Sequence, residues 1–175
     1  RDISALAGLT NLTCLDLSGN QISDISALAG LTNLTCLDLS GNKISDISAL
    51  AGLTNLTSLN LYGNQISDIS PLENLTNLTS LDLRENQIAD ISALAKLLNL
   101  TDLSLSSGFR PTPVSNSMDL DSFMSNYISI SDISVLAGLK NLTSLELSGW
   151  ILSSSISDIS ALAGLKNLTT LDLSY

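Results

Sequence analysis

The chain has 175 residues, the length of one domain, and its 17 acidic against 7 basic residues leave a formal charge of −10 with no histidine. That charge argues against a phosphate backbone as ligand, which needs clustered Lys and Arg, and the missing imidazole removes histidine-based triads, zincin sites and pH switches. Hydrophobic residues at 44% suffice for a core, but aromatics at 3% mean that Leu and Ile must fill it. No apolar run approaches the roughly 18 residues of a membrane helix, so membrane insertion is not expected. Two cysteines are too few for a disulfide framework. The chain opens on Arg1 without an initiator Met or signal peptide and reads as a segment of something longer, whose compartment targeting does not reveal.

A 22-residue unit, LTNLTCLDLSGNQISDISALAG from Leu9, returns from Leu31 with Lys43 in place of Gln21, and returns with more drift from Leu53, Leu75, Leu97, Leu139 and Leu165. Each copy carries L-x-x-L-x-L-x-x-N-x-I or a close variant, in the first copy Leu12, Leu15, Leu17, Asn20 and Ile22, which is the leucine-rich repeat signature. Thr13 to Leu17 alternate, so Leu15 and Leu17 share one face of a short strand while Cys14, Asp16 and Ser18 share the other. Beyond Asn20 the apolar residues recur every third position, at Ile22, Ile25, Leu28 and Leu31, which predicts a tight 3₁₀-like return. One copy cannot bury this set alone, whereas stacked copies close a continuous core. Asn20, Asn42, Asn64 and Asn86 leave the strand and are expected to form a structural ladder with the neighbouring copy. Asp24, Asp46, Asp68, Asp90, Asp132 and Asp158 precede the return, where a carboxylate caps free backbone N–H groups. The N-L-T triplets match glycosylation acceptors but read as by-products of the repeat.

Two departures interrupt this regularity. About residues 106–129 the chain inserts 20 residues between strand and return, and about 150–154 it inserts four at the same place in the next copy, so both are expected on one rim. The long insertion holds both Phe and both Met. Phe109 and Arg110 precede Pro111 and Pro113 and read as extended chain, while Leu120, Phe123, Met124 and Tyr127 follow the spacing of one helix stripe. That stripe is expected to dock on Trp150, Ile151 and Leu152, giving either a mini-core over the rim or a partner-binding patch.

Outward strand positions form ladders: Cys14, Cys36, Ser58, Ser80, Asp102, Ser144 and Thr170 in one, and Asp16, Asp38, Asn60, Asp82, Ser104, Glu146 and Asp172 in an acidic second. Carboxylates on strands about 4.8 Å apart repel, and a basic ligand would relieve them. Tyr62 and Arg84, side by side in a third ladder, have the character of interface hot spots. Cys14, Asp16, Cys36 and Asp38 could collect a divalent metal, but in-register strands hold side chains parallel, so free thiols and no metal or cofactor are expected. No nucleophile has an identifiable base and no phosphate-binding glycine loop occurs, so an enzyme is not expected.

With LTNLT, LDLSGNQ and ISDISAL in view, the chain resembles the internalin-type 22-residue leucine-rich repeats of bacterial surface proteins. The resemblance implies an α/β solenoid, a right-handed superhelix with a parallel concave sheet of about seven short strands and 3₁₀-like convex segments. It covers one domain, residues 1–175, without the amino- and carboxy-terminal caps of the family, so the end coils are expected to be left open and prone to self-association. It also implies binding of a protein partner, basic or neutral at its contact surface, and favours the cell surface. The expected anchors are Phe109, Arg110, Phe123, Tyr127 and Trp150 on the rim, Tyr62 and Arg84, and the acidic stripe Asp16, Asp38, Asp82 and Glu146. The alternatives are a recognition or spacer arm of a larger regulatory protein, and a ligand or metal site on the concave face.

Overall fold

A computed structural model describes residues 1–106, 130–148, 156 and 158–174. Seven three-residue strands form one parallel sheet in sequence order: β1 Cys14–Asp16, β2 Cys36–Asp38, β3 Ser58–Asn60, β4 Ser80–Asp82, β5 Asp102–Ser104, β6 Ser144–Glu146 and β7 Thr170–Asp172. Each is preceded by a 3₁₀ turn: η1 Ser4–Leu6, η2 Ser26–Leu28, η3 Ser48–Leu50, η4 Ser70–Leu72, η5 Ser92–Lys96, η6 Ser134–Gly138 and η7 Ser160–Gly164. The alternating strand and the period-three return read from the sequence are therefore both present. The return is tight because its bonds close over three residues, as when the Leu28 N–H donates to the Ile25 carbonyl at 2.9 Å and the Leu31 N–H to the Leu28 carbonyl at 2.9 Å.

Register is strict. Leu15 pairs with Leu37, Leu37 with Leu59, Leu59 with Leu81, Leu81 with Leu103, Leu103 with Leu145 and Leu145 with Leu171. The inward leucines thus stack into columns, and Leu37, Leu59, Leu81, Leu103 and Leu145 are all buried. At roughly 1.5–3 kcal/mol for each fully buried aliphatic side chain, these columns supply the main folding drive. Each coil covers the one before it, and equivalent positions in the end coils show what happens without a neighbour: Leu9 is 48% exposed and Leu171 46%.

The polar residues of the repeat hold the coils in step. Asn42 donates from Nδ2 to the carbonyls of Leu39 and Ser40 in its own turn and of Leu17 in the preceding coil, and its Oδ1 accepts from the Ile22 N–H. Asn64 and Asn86 repeat the pattern one and two coils on. All three are buried. A second ladder, which the sequence reading passed over as sequon by-products, runs along the outside. Asn33 donates to the Thr10 carbonyl of the preceding coil at 2.8 Å, and Asn55, Asn77 and Asn99 do the same in turn.

The aspartates before each return act as caps from one residue further out than a helix N-cap. Asp24 accepts the Ser26 N–H at 2.8 Å, and Asp46, Asp68, Asp90, Asp132 and Asp158 do likewise, with Asp2 as an unforeseen seventh. The backbone hydrogen bond from the serine two residues on is the first cause that lowers each of these pKa values below the ordinary 3.8. A folded-state pKa below the unfolded one gives stability that is complete above the unfolded value and lost as pH falls through the folded one. Protonation also relieves repulsion between neighbouring carboxylates, but that influence is the smallest cause where it acts, as on Asp46, so the hydrogen-bond loss prevails. The thermal midpoint is expected to be flat above about pH 5 and to fall from there toward pH 2. Circular dichroism melts across that range check it, and a midpoint that rises on acidification would contradict it.

In the turn after the strand, Gly19, Gly41 and Gly63 have φ near +65°, and a Cβ on Gly41 would lie 3.4 Å from the Gly19 backbone nitrogen. Glycine there satisfies both the left-handed backbone and the close approach of successive coils.

Candidate functional site

The surface left free by the scaffold is the outer face of the sheet and the rim where strand passes to return. On the sheet, the register confirms both ladders. Cys14, Cys36, Ser58, Ser80, Asp102, Ser144 and Thr170 stand in line, beside Asp16, Asp38, Asn60, Asp82, Ser104, Glu146 and Asp172. The first four coils form a shallow depression of about 540 Å³, with Asp16, Asp38, Asn60 and Asp82 along its acidic side.

This face divides into two electrostatic halves. Arg84, one of the expected partner-binding residues, lies across the sheet and pairs with two carboxylates. Its guanidinium meets Asp82 Oδ2 at 2.6 Å and Glu146 Oε2 at 3.1 Å, and lies 5.5 Å from the centroid of the Tyr62 ring. Tyr62, Arg84, Asp82 and Glu146 are thus brought together, but as one internally satisfied cluster. The reach from β4 to β6 is open because the intervening ladder position on β5 is Ser104, whose side chain is short. Hydrogen bonding to Asp82, ahead of the charges of Asp82 and Glu146, raises the Arg84 pKa further. Asp16 and Asp38, by contrast, are in no ion pair among the described residues. Asp16 accepts the Ser18 N–H, and Asp38 accepts from the Ser40 N–H and from Asn60. Because Arg84 remains partly exposed, Arg84→Ala is expected to cost only about 1 kcal/mol of stability, a loss that shrinks in 1 M salt. Urea denaturation at low and high salt measures both.

Cys14 and Cys36 form a disulfide, with their Cα atoms 4.7 Å apart. This corrects the expectation of free thiols. Parallel strands set in-register residues about 4.8 Å apart, and that spacing falls inside the range of roughly 4.4–6.8 Å that a disulfide bridges. The signal was present in the sequence as two cysteines one period apart on the same face. The bond also removes the thiolates from any metal site at this square, and no metal-binding cluster of His, Cys, Asp or Glu occurs among the described residues.

Phe109, Arg110, Phe123, Tyr127 and Trp150, and with them the predicted helix stripe and its docking on Trp150, lie outside the described residues. The coils on either side are described. Thr143 donates to the Thr101 carbonyl across 42 residues of chain, where Thr79 and Thr101 bond across 22, and Thr169 reaches Thr143 across 26. The stack is therefore continuous past both insertions. The two insertions follow β5 and β6 at equivalent positions of adjacent coils, and just before them the Leu105 N–H donates to the Glu146 carbonyl and the Leu147 N–H to the Asp172 carbonyl.

A stack of 3₁₀-and-strand coils with an unpaired outer sheet face defines a leucine-rich repeat solenoid. Family models for leucine-rich repeats match residues 2–44, and, in the two-copy form, residues 32–74 and 76–117. Among solved structures, an internalin (inlF) from Listeria monocytogenes superposes with a TM-score of 0.81 at 38% identity, over 100% of this chain and 46% of that one. Internalin C2 of the same organism gives 0.77 at 38% identity, over 94% of this chain and 62% of that one. The chain belongs to the leucine-rich repeat family, and its repeats are of the internalin type. It spans less than two thirds of either internalin chain. No curated protein sequence matches it at a significant level. Repeats of this kind form protein–protein interaction modules, and no helix among the described residues is long and apolar enough to cross a membrane.

Proposed function

We propose that the chain is a recognition module of the adhesin or receptor-binding type, a single domain whose specificity resides in the rim insertions. Phe109, Arg110, Phe123, Tyr127 and Trp150 serve as anchors, and the acidic outer face steers a basic or neutral protein surface toward them. The observation that carries this reading is the division of labour along the sequence. Residues of the 22-residue unit are committed to columns, ladders and caps, whereas the aromatic and Met content is concentrated in a stretch that none of those roles requires. Asp16 and Asp38 contribute most to steering on the first coils, because Asp82 and Glu146 already share Arg84 as a counterion.

The test is comparative capture of solubilised cell-surface proteins by the whole chain and by a chain whose residues 107–128 are replaced with a Gly-Asn turn. The proposal expects proteins retained by the first and lost by the second. Identical retained sets would refute a rim-based specificity and favour a spacer arm.

A further inference from the structure

The Cys14–Cys36 bond has no counterpart elsewhere in the array, where the same ladder carries Ser58, Ser80, Asp102, Ser144 and Thr170. The scaffold therefore does not need it. Nor is it hidden: Cys14 is exposed and Cys36 half-buried, and the other interior positions of this ladder range from half-buried at Ser80 and Ser144 to exposed at Ser58 and Asp102. Both cysteines line the same depression as Asp16 and Asp38. Each carboxylate stands two residues along the same strand face from its cysteine, a separation of about 6.6 Å. Neither carboxylate is neutralised by a described cation.

We propose that the Cys14–Cys36 disulfide is a thiol–disulfide exchange site that favours cationic aminothiols over anionic thiols. The thiolate of an aminothiol attacks the Sγ of Cys14, the more exposed of the two residues. The Cys14–Cys36 bond breaks, a mixed disulfide forms on Cys14, and Cys36 departs as a thiolate. A second aminothiol thiolate attacks the reagent's own sulfur in that mixed disulfide, releasing Cys14 and forming the reagent's disulfide. Two thiols are oxidised, two protein sulfurs are reduced, and the two protein thiolates take up protons from water. The ammonium group of the reagent is attracted to Asp16 and Asp38, while a sulfonate or carboxylate on the reagent is repelled. The site stands on the geometry of the outer face and is independent of the rim-binding reading.

The experiment is the rate of reduction of the full chain by cysteamine, 2-mercaptoethanol and 2-mercaptoethanesulfonate. Rates are followed by alkylation of released thiols and mass spectrometry, and expressed per thiolate of reagent. At about 10 mM salt, where the screening length is about 30 Å, cysteamine is expected to react about tenfold faster than the sulfonate, with 2-mercaptoethanol between them. In 1 M salt, where it is about 3 Å, the ratio is expected to fall toward one. Asp16→Asn with Asp38→Asn keeps an amide oxygen to accept the turn N–H groups and is expected to collapse the ratio at low salt. Equal per-thiolate rates at low salt would overturn the proposal. A bond that resists all three reagents, or free thiols in the untreated protein, would overturn it as well.

Discussion

Asn64→Ala is expected to destabilise the chain by roughly 3–4 kcal/mol, far more than an ordinary polar-to-alanine change. Asn64 is 8% exposed, and its amide satisfies three groups in two coils: the Ile44 N–H and the Leu39 carbonyl of the preceding coil, and the Leu61 carbonyl of its own. Truncation takes away the partner of the buried Ile44 N–H, and an orphaned buried donor alone costs about 1–3 kcal/mol. The two carbonyls and the void left by the amide add to this. Asn20→Ala supplies the internal comparison. Asn20 donates only within its own turn, to Leu17 and Ser18, and its Oδ1 accepts from the side chain of Arg1 instead of a backbone N–H of a preceding coil. Its loss is expected to cost about 1 kcal/mol. Urea denaturation of the two variants separates bridging from local turn formation, and equal losses would show that the inter-coil bonds contribute little.

Removing the disulfide by Cys14→Ser with Cys36→Ser is expected to cost about 3 kcal/mol. The bond closes a loop of one full coil, since its ends are 22 residues apart, and the cross-link restricts the unfolded chain by about that amount for a loop of this length. The native coil geometry does not depend on it, because in-register pairing continues through positions that carry serine or threonine. The stabilisation therefore acts on the unfolded state. Two measurements check this. A reducing agent is expected to lower the urea midpoint of the wild type to that of the double variant, and to leave the double variant unmoved. A wild type indifferent to reduction would contradict the expected magnitude.

Much of this architecture is legible in the residues because each position of the unit has one physical task. Leu37 and Leu39 alternate with Asp38, which fixes the strand and its inward face, and the three-residue spacing of Ile44, Ile47 and Leu50 fixes the return. Asn42 and Asp46 are recognisable because an amide or carboxylate beside backbone groups that lack partners has few other roles. What escaped the sequence depends on distances between coils. The disulfide follows from the spacing of parallel strands, which the direction of the side chains obscured. The Arg84 cluster depends on a long side chain crossing one intervening strand over a short serine, a relation between ladders that period counting treats as separate. Asn33 and its equivalents looked like remnants of a repeated triplet because their acceptor, the Thr10 carbonyl, lies a whole coil away. The rim anchors from Phe109 to Trp150 lie outside the described residues and rest on their chemistry alone.

The account holds that columns, ladders and caps fold the solenoid without help from the insertions, which leaves those free to specialise. The direct measurement is the urea midpoint of the chain in which a Gly-Asn turn replaces residues 107–128. β5 and β6 already pair in register, and Thr101 and Thr143 already bond as in an unbroken coil. The shortened chain is therefore expected to unfold cooperatively at a midpoint equal to or above that of the whole chain, since a shorter loop costs less entropy to close. A shortened chain that fails to fold, or unfolds at a markedly lower midpoint, would show that the long insertion is part of the scaffold.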